Sequence, residues 1–386
     1  MEHLINPNVK DIQFSGIRQF FNMVSEYEDV ISLTIGQPDF TTPEGVKEAA
    51  KLAIDDDLTT YTHNAGLFTL REAASNFVKT KYNLLYNPED EIIVTAGASE
   101  AIDIAIRTIV SEGAEVILPG PAYPSYEALI KLAGGIPVLV DTRETGFKLT
   151  ASQISEHLTD KTRCIVLPYP SNPTGCTLNN NDLKEIADLL MDKDIFVLSD
   201  EVYSELVFTE SHQSIASFPE MREKTIVVNG ISKSHSMTGW RIGFAFAPAF
   251  LTRYMLKVHQ FSVACASSIS QYAAIEALTK GMNSALTMKH EYMKRMHYAF
   301  KRLKFLGFEV EQPTGAFYMF PSIKQFNMSS FDFSIKLLQE AGVAVVPGAA
   351  FSKYGEGYVR LSYAYSMETL EEGLNRIEEF INKFKV

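Results

Sequence analysis

DIFVLSDEVY, residues 194–203, and KTIVVNGISKS, residues 224–234, are two short apolar runs, and both run into charged side chains, Asp200 and Lys233. Runs of this length, apolar at successive positions rather than alternate ones, read as strands buried on both faces. Working outward, the same pattern recurs. EIIVTAG (91–97), AEVILPG (114–120), GIPVLV (135–140) and RCIVLPYPSNP (163–173) precede the pair, and RIGFAFA (241–247) follows it. Helical patterns separate them, one from Ala98, one from Tyr123 and an amphipathic one over 179–192. Strands alternating with helices imply an α/β fold with a mostly parallel seven-stranded sheet flanked by helices, which RIGFAFA is expected to continue.

Beyond about residue 280 the pattern changes. A long helical stretch at 284–306 precedes FEVEQPTGAFYMFP (308–321), a helix at 332–341, VAVVPG (343–348), YVRLSYA (358–364) and an amphipathic helix from Met367. This reads as a smaller α+β domain. The expected division is 1–44 as an N-terminal segment joining the small domain, 45–280 as the large domain and 281–386 as the small one.

Composition narrows the function. A chain of 386 residues, 46% of them hydrophobic, can bury a large core without staples. The formal charge is −12, from 35 basic and 47 acidic side chains, and no basic run marks a nucleic-acid face, so nucleic acid is not an expected partner. Cys164, Cys176 and Cys265 are odd in number and widely spaced, which suits reduced thiols better than disulfides or a metal site. The opening MEHLINPNVKDIQFSGIRQF lacks the apolar core of a signal peptide, and no run approaches ~18 apolar residues. A cytoplasmic protein without a membrane partner is expected.

In open α/β sheets ligands bind beyond the carboxyl ends of strands, so the polar residues there are the candidates. Ala96-Gly97-Ala98-Ser99 leads from a strand into a helix and aims free N–H groups at an anion, although such a turn alone is more often plain packing. Ser171-Asn172-Pro173-Thr174-Gly175 offers the Asn172 amide to a ligand oxygen, or is an ordinary Asn-Pro turn. Asp200, at the end of an apolar strand, needs a cation partner or caps a helix. Lys233, between Ser232 and Ser234, shares the crevice or snorkels to the surface.

SNPTG (171–175), the Asp-x-x-Tyr of DEVY (200–203), and Ser232-Lys233 with Gly239-x-Arg241-x-Gly243 after it resemble the fold-type I, class I/II aminotransferases. The likeness runs in order from TIGQPDF (34–40) through YTHNAG (61–66) and GASEA (97–101) to YVRLSYA. The resemblance implies pyridoxal 5'-phosphate as cofactor, amino acids and 2-oxo acids as substrates, and a homodimer. It implies that Lys233 bonds the cofactor and shuttles the proton, that Asp200 pairs with the ring nitrogen, and that Asn172 and Tyr203 meet the ring hydroxyl. Tyr123 would stack on the ring, for which core packing is the competing reading, and Gly97, Ala98, Ser99, Ser232 and Arg241 would hold the phosphate, with Tyr61 reaching it from the neighbouring subunit. Arg360, with Gly36 and Asn172, would bind the substrate α-carboxylate; the competing reading of Arg360 is a solvated strand residue. Arg18 and His63 are placed near the entrance by the same likeness. The wording of IVLPYPSNPTGCTL (165–178) is similar to members acting on N-acetyl-L,L-diaminopimelate in lysine biosynthesis. Aromatic, branched-chain and glutamate-linked transamination stay open, as do a carbon–sulfur β-lyase on the same residues and a non-catalytic sensor.

Overall fold

A computed structural model describes residues 1–14, 16–209 and 211–384, apart from the side chains of Arg18 and Gln19. Twelve strands are described: β1 Ile31–Ser32, β2 Ile92–Thr95, β3 Glu115–Gly120, β4 Ile136–Asp141, β5 Thr162–Leu167, β6 Phe196–Asp200, β7 Thr225–Gly230, β8 Gly243–Phe246, β9 Tyr318–Met319, β10 Val343–Ala344, β11 Val346–Pro347 and β12 Val359–Ser362. β2 to β8 form one seven-stranded sheet in the order β2-β8-β7-β6-β5-β3-β4. Its pairs are parallel except those made by β8, which runs antiparallel to both β2 and β7. RIGFAFA is therefore a strand, as its composition suggests, but a reversed one. An apolar run by itself cannot tell a strand that returns directly from one that returns through a helix, and only a loop and a 3-10 turn join β7 to β8.

Continuous apolarity follows from burial on two faces. Within β5, Cys164 and Val166 pack under the helices Ala98–Ile109, Ser125–Leu132 and Ala249–Ser262, whereas Ile165 and Leu167 point to Ala151–His157 and Asn180–Leu190. Successive side chains thus serve different cores. Asn179 caps the helix Asn180–Leu190 through a full capping box with Asp182, and Thr150 does the same with Gln153 for Ala151–His157.

The helices Ala285–Phe305, Ser330–Ala341 and Met367–Asn382 cover the short strands β9 to β12 around a separate apolar cluster. β11, β12 and β9 make an antiparallel sheet, and β1 pairs in parallel with β10, Ile31 opposite Val343. Leu33 is fully buried in this cluster, and so are Tyr203 and Leu206 from the chain just after β6. FEVEQ (308–312) forms no strand. The cleft-bearing edge of the large sheet is therefore wedded to the small cluster by side chains three to six residues past Asp200.

Leu198 is fully buried in the middle of β6, beside Val166 and Ile226. Leu198→Ala should cost about 2–5 kcal/mol of stability in urea unfolding of the cofactor-free protein, with an unchanged denaturant slope.

Candidate active site

The carboxyl ends of the parallel strands open into a cleft of about 710 Å³. β3 leads to Tyr123, β5 to Asn172, β6 to Asp200 and β7 to Ser232 and Lys233, and all of these line it. The neighbouring strands β3 and β5 hand the chain on in opposite directions across the sheet, the switch point at which a crevice must form. From the other side come Gly36, Tyr318 and Arg360.

Lys233 donates from Nζ to the carbonyl of Gly36 at 2.6 Å and lies 5.8 Å from the ring centre of Tyr203. Burial lowers its pKa to about 8, and the nearby Arg360 and Arg241 guanidiniums push the same way against Asp200. The snorkelling alternative thereby gives way to a largely enclosed amine. Asp200 is buried; its Oδ2 accepts from the hydroxyl of Tyr126 at 2.6 Å and its Oδ1 from the N–H of Val202 at 3.1 Å. Burial raises its pKa, with those two bonds opposing. The chain turns after Asp200 rather than entering a helix at once, so the capping role does not apply. Tyr203 and Tyr318 share a 2.7 Å hydroxyl contact, and burial pushes both phenols up.

Arg360 is 2% exposed, which excludes the solvated alternative. Its Nη1 donates to Oδ1 of Asn172 at 2.8 Å and its Nη2 to the carbonyl of Thr34, while Nε is buried without a partner among the described residues. Tyr318 lies beneath its guanidinium, at 4.5 Å from the ring centre. A guanidinium with an unpaired buried donor at a cleft wall is suited to a carboxylate.

At the other end, Gly97 caps the helix Ala98–Ile109 with φ +89°, a backbone that side-chain-bearing residues rarely adopt. A Cβ there would sit 2.3 Å from Nη2 of Arg241, and one on Gly243 only 2.4 Å from the nitrogen of Ala98. The two glycines let Arg241 and β8 close on the helix start. Arg241 spans the turn by donating to the carbonyls of Thr238 at 2.9 Å and Ala96 at 3.3 Å. The N–H groups of Ala98 and Ser99 have no protein acceptor among the described residues. Free N–H groups, the helix dipole and a guanidinium make a cup for a doubly charged anion.

The structure thus brings together Gly36, Ala98, Ser99, Tyr123, Asn172, Asp200, Tyr203, Ser232, Lys233, Arg241 and Arg360, with Gly97 behind the cup. Tyr61 is 88% exposed and away from this chain's cleft, and His63 is exposed, with Nδ1 accepting from the N–H of Ala65 at 3.1 Å. The side chain of Arg18 lies outside the described residues. Sequence reasoning missed Tyr126 and Tyr318. Tyr126 follows Tyr123 by three positions on a helix start, a spacing that says the two are neighbours but not that one meets Asp200. Tyr318 sits in a two-residue strand too short to carry a pattern.

A buried amine facing a carboxylate, with an anion cup at one end and an arginine at the other, defines an enzyme that handles a phosphorylated cofactor and a carboxylate substrate. A family model, "Aminotransferase class I and II", matches residues 28–377, and the chain belongs to that family. It is 60% identical over 383 residues to a Bacillus subtilis (strain 168) protein named "Probable N-acetyl-LL-diaminopimelate aminotransferase", covering 99% of this chain and 97% of that one. The aromatic aminotransferase of Pyrococcus horikoshii OT3 superposes with a TM-score of 0.90 at 43% identity, covering 95% and 99% of the two chains. The aspartate aminotransferase of Thermus thermophilus, solved with maleate, gives 0.93 at 34% identity over 97% and 99%. The protein is a transaminase, and its cofactor is pyridoxal phosphate.

Because an unfolded lysine titrates near 10.5 and Lys233 near 8, the unfolded cofactor-free chain holds the extra proton between those values. The contribution of this group to stability should therefore rise with pH across that window. Nuclear magnetic resonance of labelled lysines in the cofactor-free protein should show one signal with a midpoint near 8, missing in Lys233→Met; a Lys233 signal that titrates above 10 would contradict the burial.

Proposed function

We propose that the protein transaminates N-acetyl-L,L-diaminopimelate with 2-oxoglutarate, in lysine biosynthesis, as a cytoplasmic homodimer. The observation that carries the site reading is the buried Arg360, whose unpartnered Nε and paired Nη groups wait across the cleft from Lys233. The substrate reading is supported by the name of the 60% identical relative. It is also supported by the cleft wall from the N-terminal segment, where Gln13 and Asn22 offer amides beside Ile17 and Phe21. Such a wall suits an extended, acetylated side chain. The dimer reading rests on Tyr61, Phe14 and Phe261, which expose 87–88% of their surface on this chain alone. Three free cysteines suit a reducing compartment. The division at 44 and 280 is offered as the functional one, the first unit carrying Gly36, the second the strand-end residues and the third Arg360.

Pyridoxal phosphate supplies the electron sink that lets the substrate α-proton leave. Ala98, Ser99, Ser232 and Arg241 would hold its phosphate, with Tyr61 of a second copy, and Gly97 keeps the cup open by lacking a side chain. Asp200 would face the ring nitrogen, where a buried carboxylate oriented by Tyr126 favours the protonated form. Asn172 and Tyr203 would meet the ring hydroxyl, and Tyr123 the ring face. Lys233 would hold the cofactor, and its amine, once freed by substrate, would take up the substrate α-proton. An amine with a pKa near 8 is free often enough near neutral pH to serve as that base. Arg360 and the peptide at Gly36 would hold the α-carboxylate, so that the α C–H bond is aimed at Lys233 rather than at water.

With 2-oxoglutarate as acceptor, N-acetyl-L,L-diaminopimelate should exceed aspartate and phenylalanine in kcat/KM, with glutamate formed in equal amount; aspartate or an aromatic donor leading would overturn the substrate and leave the transaminase. Arg360→Lys should raise KM for every amino donor by about ten- to a hundredfold, because a point charge cannot replace the fork. An unchanged KM would remove Arg360 from the carboxylate site.

A further inference from the structure

The helix start at the phosphate end carries a second device behind it. Its cap, Gly97, has no side chain with which to accept an N–H of the first turn. The turn is instead held by its neighbours. Ala96 donates its N–H to Oε2 of Glu100, in the helix's first turn, and its carbonyl accepts from Arg241. The other oxygen of Glu100, Oε1, meets Nδ1 of His259 at 2.8 Å. His259 is fully buried on the helix Ala249–Ser262, which packs against Ala98–Ile109, and its Nε2 has no partner among the described residues. Neither Glu100 nor His259 lines the cleft.

This is a shifted relative of half a capping box: the acidic residue at the third helical position reaches back to the N–H of Ala96, one residue before the cap, and no side chain at the cap answers it. Ala98 and Ser99 keep their N–H groups unclaimed among the described residues, while the N–H of Glu100 bonds the carbonyl of Gly97. A carboxylate on a freely rotating side chain one turn from an anion cup could itself swing in and occupy those N–H groups. His259 prevents this by fixing one oxygen, and the Ala96 N–H fixes the other. A single imidazole bond to a buried carboxylate also costs less rotamer freedom than a lysine would, because the ring has only two rotatable bonds.

We propose that Glu100 and His259 are a positioning pair that sets the Ala96–Gly97 turn, and with it the aim of the free Ala98 and Ser99 N–H groups, so that the pair governs cofactor affinity. The proposal rests on assigning that turn to the cofactor phosphate. Glu100 acts by accepting a hydrogen bond, not by its charge, which on its own would oppose an anion.

The test is a titration of the cofactor-stripped full chain with pyridoxal phosphate, followed by quenching of protein fluorescence. Glu100→Ala should raise the dissociation constant roughly tenfold, the scale of a lost cap. Glu100→Gln retains the acceptor and should stay within about threefold of the unaltered protein. His259→Asn, which keeps a donor near the Nδ1 position, should resemble Glu100→Gln, and His259→Leu should weaken binding as Glu100→Ala does. A purely electrostatic role predicts tighter binding for both Glu100 variants, and a purely structural one predicts that Gln and Ala weaken it equally; either result overturns the proposal, as does an unchanged constant for Glu100→Ala. If Glu100→Ala does not fold, the His259 pair gives the same decision. Failure of the phosphate assignment reads differently: inorganic phosphate would then not compete with cofactor rebinding in the unaltered protein, which removes the premise.

Discussion

Three cations and one carboxylate line the cleft among the described residues: Lys233, Arg241 and Arg360 against Asp200. Two of those cations, Lys233 and Arg360, are held against their mutual repulsion by carbonyls of one segment, Gly36 and Thr34 in TIGQPDF. Burying like charges together is costly unless something answers them. The protein answers partly with carbonyl dipoles and the Asn172 side chain, and partly by lowering the Lys233 pKa so that the amine gives up its proton more readily than a free lysine does. What remains is a positive excess at the two ends of the cleft, at Arg241 and at Arg360. A phosphate and a carboxylate would cancel it, so the site is electrostatically complete only when both are present. An amino acid joined to a phosphorylated cofactor meets that requirement in one assembly.

Holding these groups in place needs both sheets. The large sheet can present Asn172, Asp200 and Lys233 side by side because its strands are parallel and end on the same edge. It cannot also supply a group facing back at them. Arg360 does so from β12 in the small antiparallel sheet, whose register with β9 places Tyr318 under the guanidinium. Tyr203 ties the two together, its ring packed in the small cluster and its hydroxyl on Tyr318. A movement of the small cluster relative to the large sheet would therefore shift Arg360 and Tyr203 together against Lys233.

Much of this was legible from text, and the reasons differ by residue. Strand positions could be read because double-sided burial keeps the middles of β5, β6 and β7 apolar, at 164–167, 196–198 and 226–228. Direction could not be read for β8, whose apolar run looks the same either way round. Asp200 and Lys233 stood out because charges at the ends of such strands are physically awkward, and Arg241 because it lies between two glycines, of which Gly243 closes on the cup. Gly97 and Gly243 show the cost of close approach directly, since a methyl group at either position would occupy space held by Arg241 or the Ala98 backbone. Contacts between distant segments carry no local signature. Tyr126 on Asp200, Tyr318 on Arg360 and His259 on Glu100 join residues 42 to 159 positions apart, and chain periodicity is blind at that range.

Specificity is the part least visible in those strand ends, and the geometry explains why. Of the residues proposed for the shared atoms of an amino acid, its α-amino group and its α-carboxylate, Asn172 and Lys233 follow strand ends, Arg360 stands in β12, and Gly36 is fixed by its carbonyl on Lys233. The wall proposed to face a side chain comes instead from Gln13, Ile17, Phe21 and Asn22, which line the cleft from the N-terminal segment and the helix Gly16–Val24. That segment packs on the small cluster through only a few apolar side chains, Phe20 and Val24 among them. Substitutions there disturb neither the sheet nor the charges at Lys233. A fold built this way can hold the transamination chemistry constant while its entrance changes, as expected when relatives over 40% identical carry names as different as aspartate and aromatic aminotransferase.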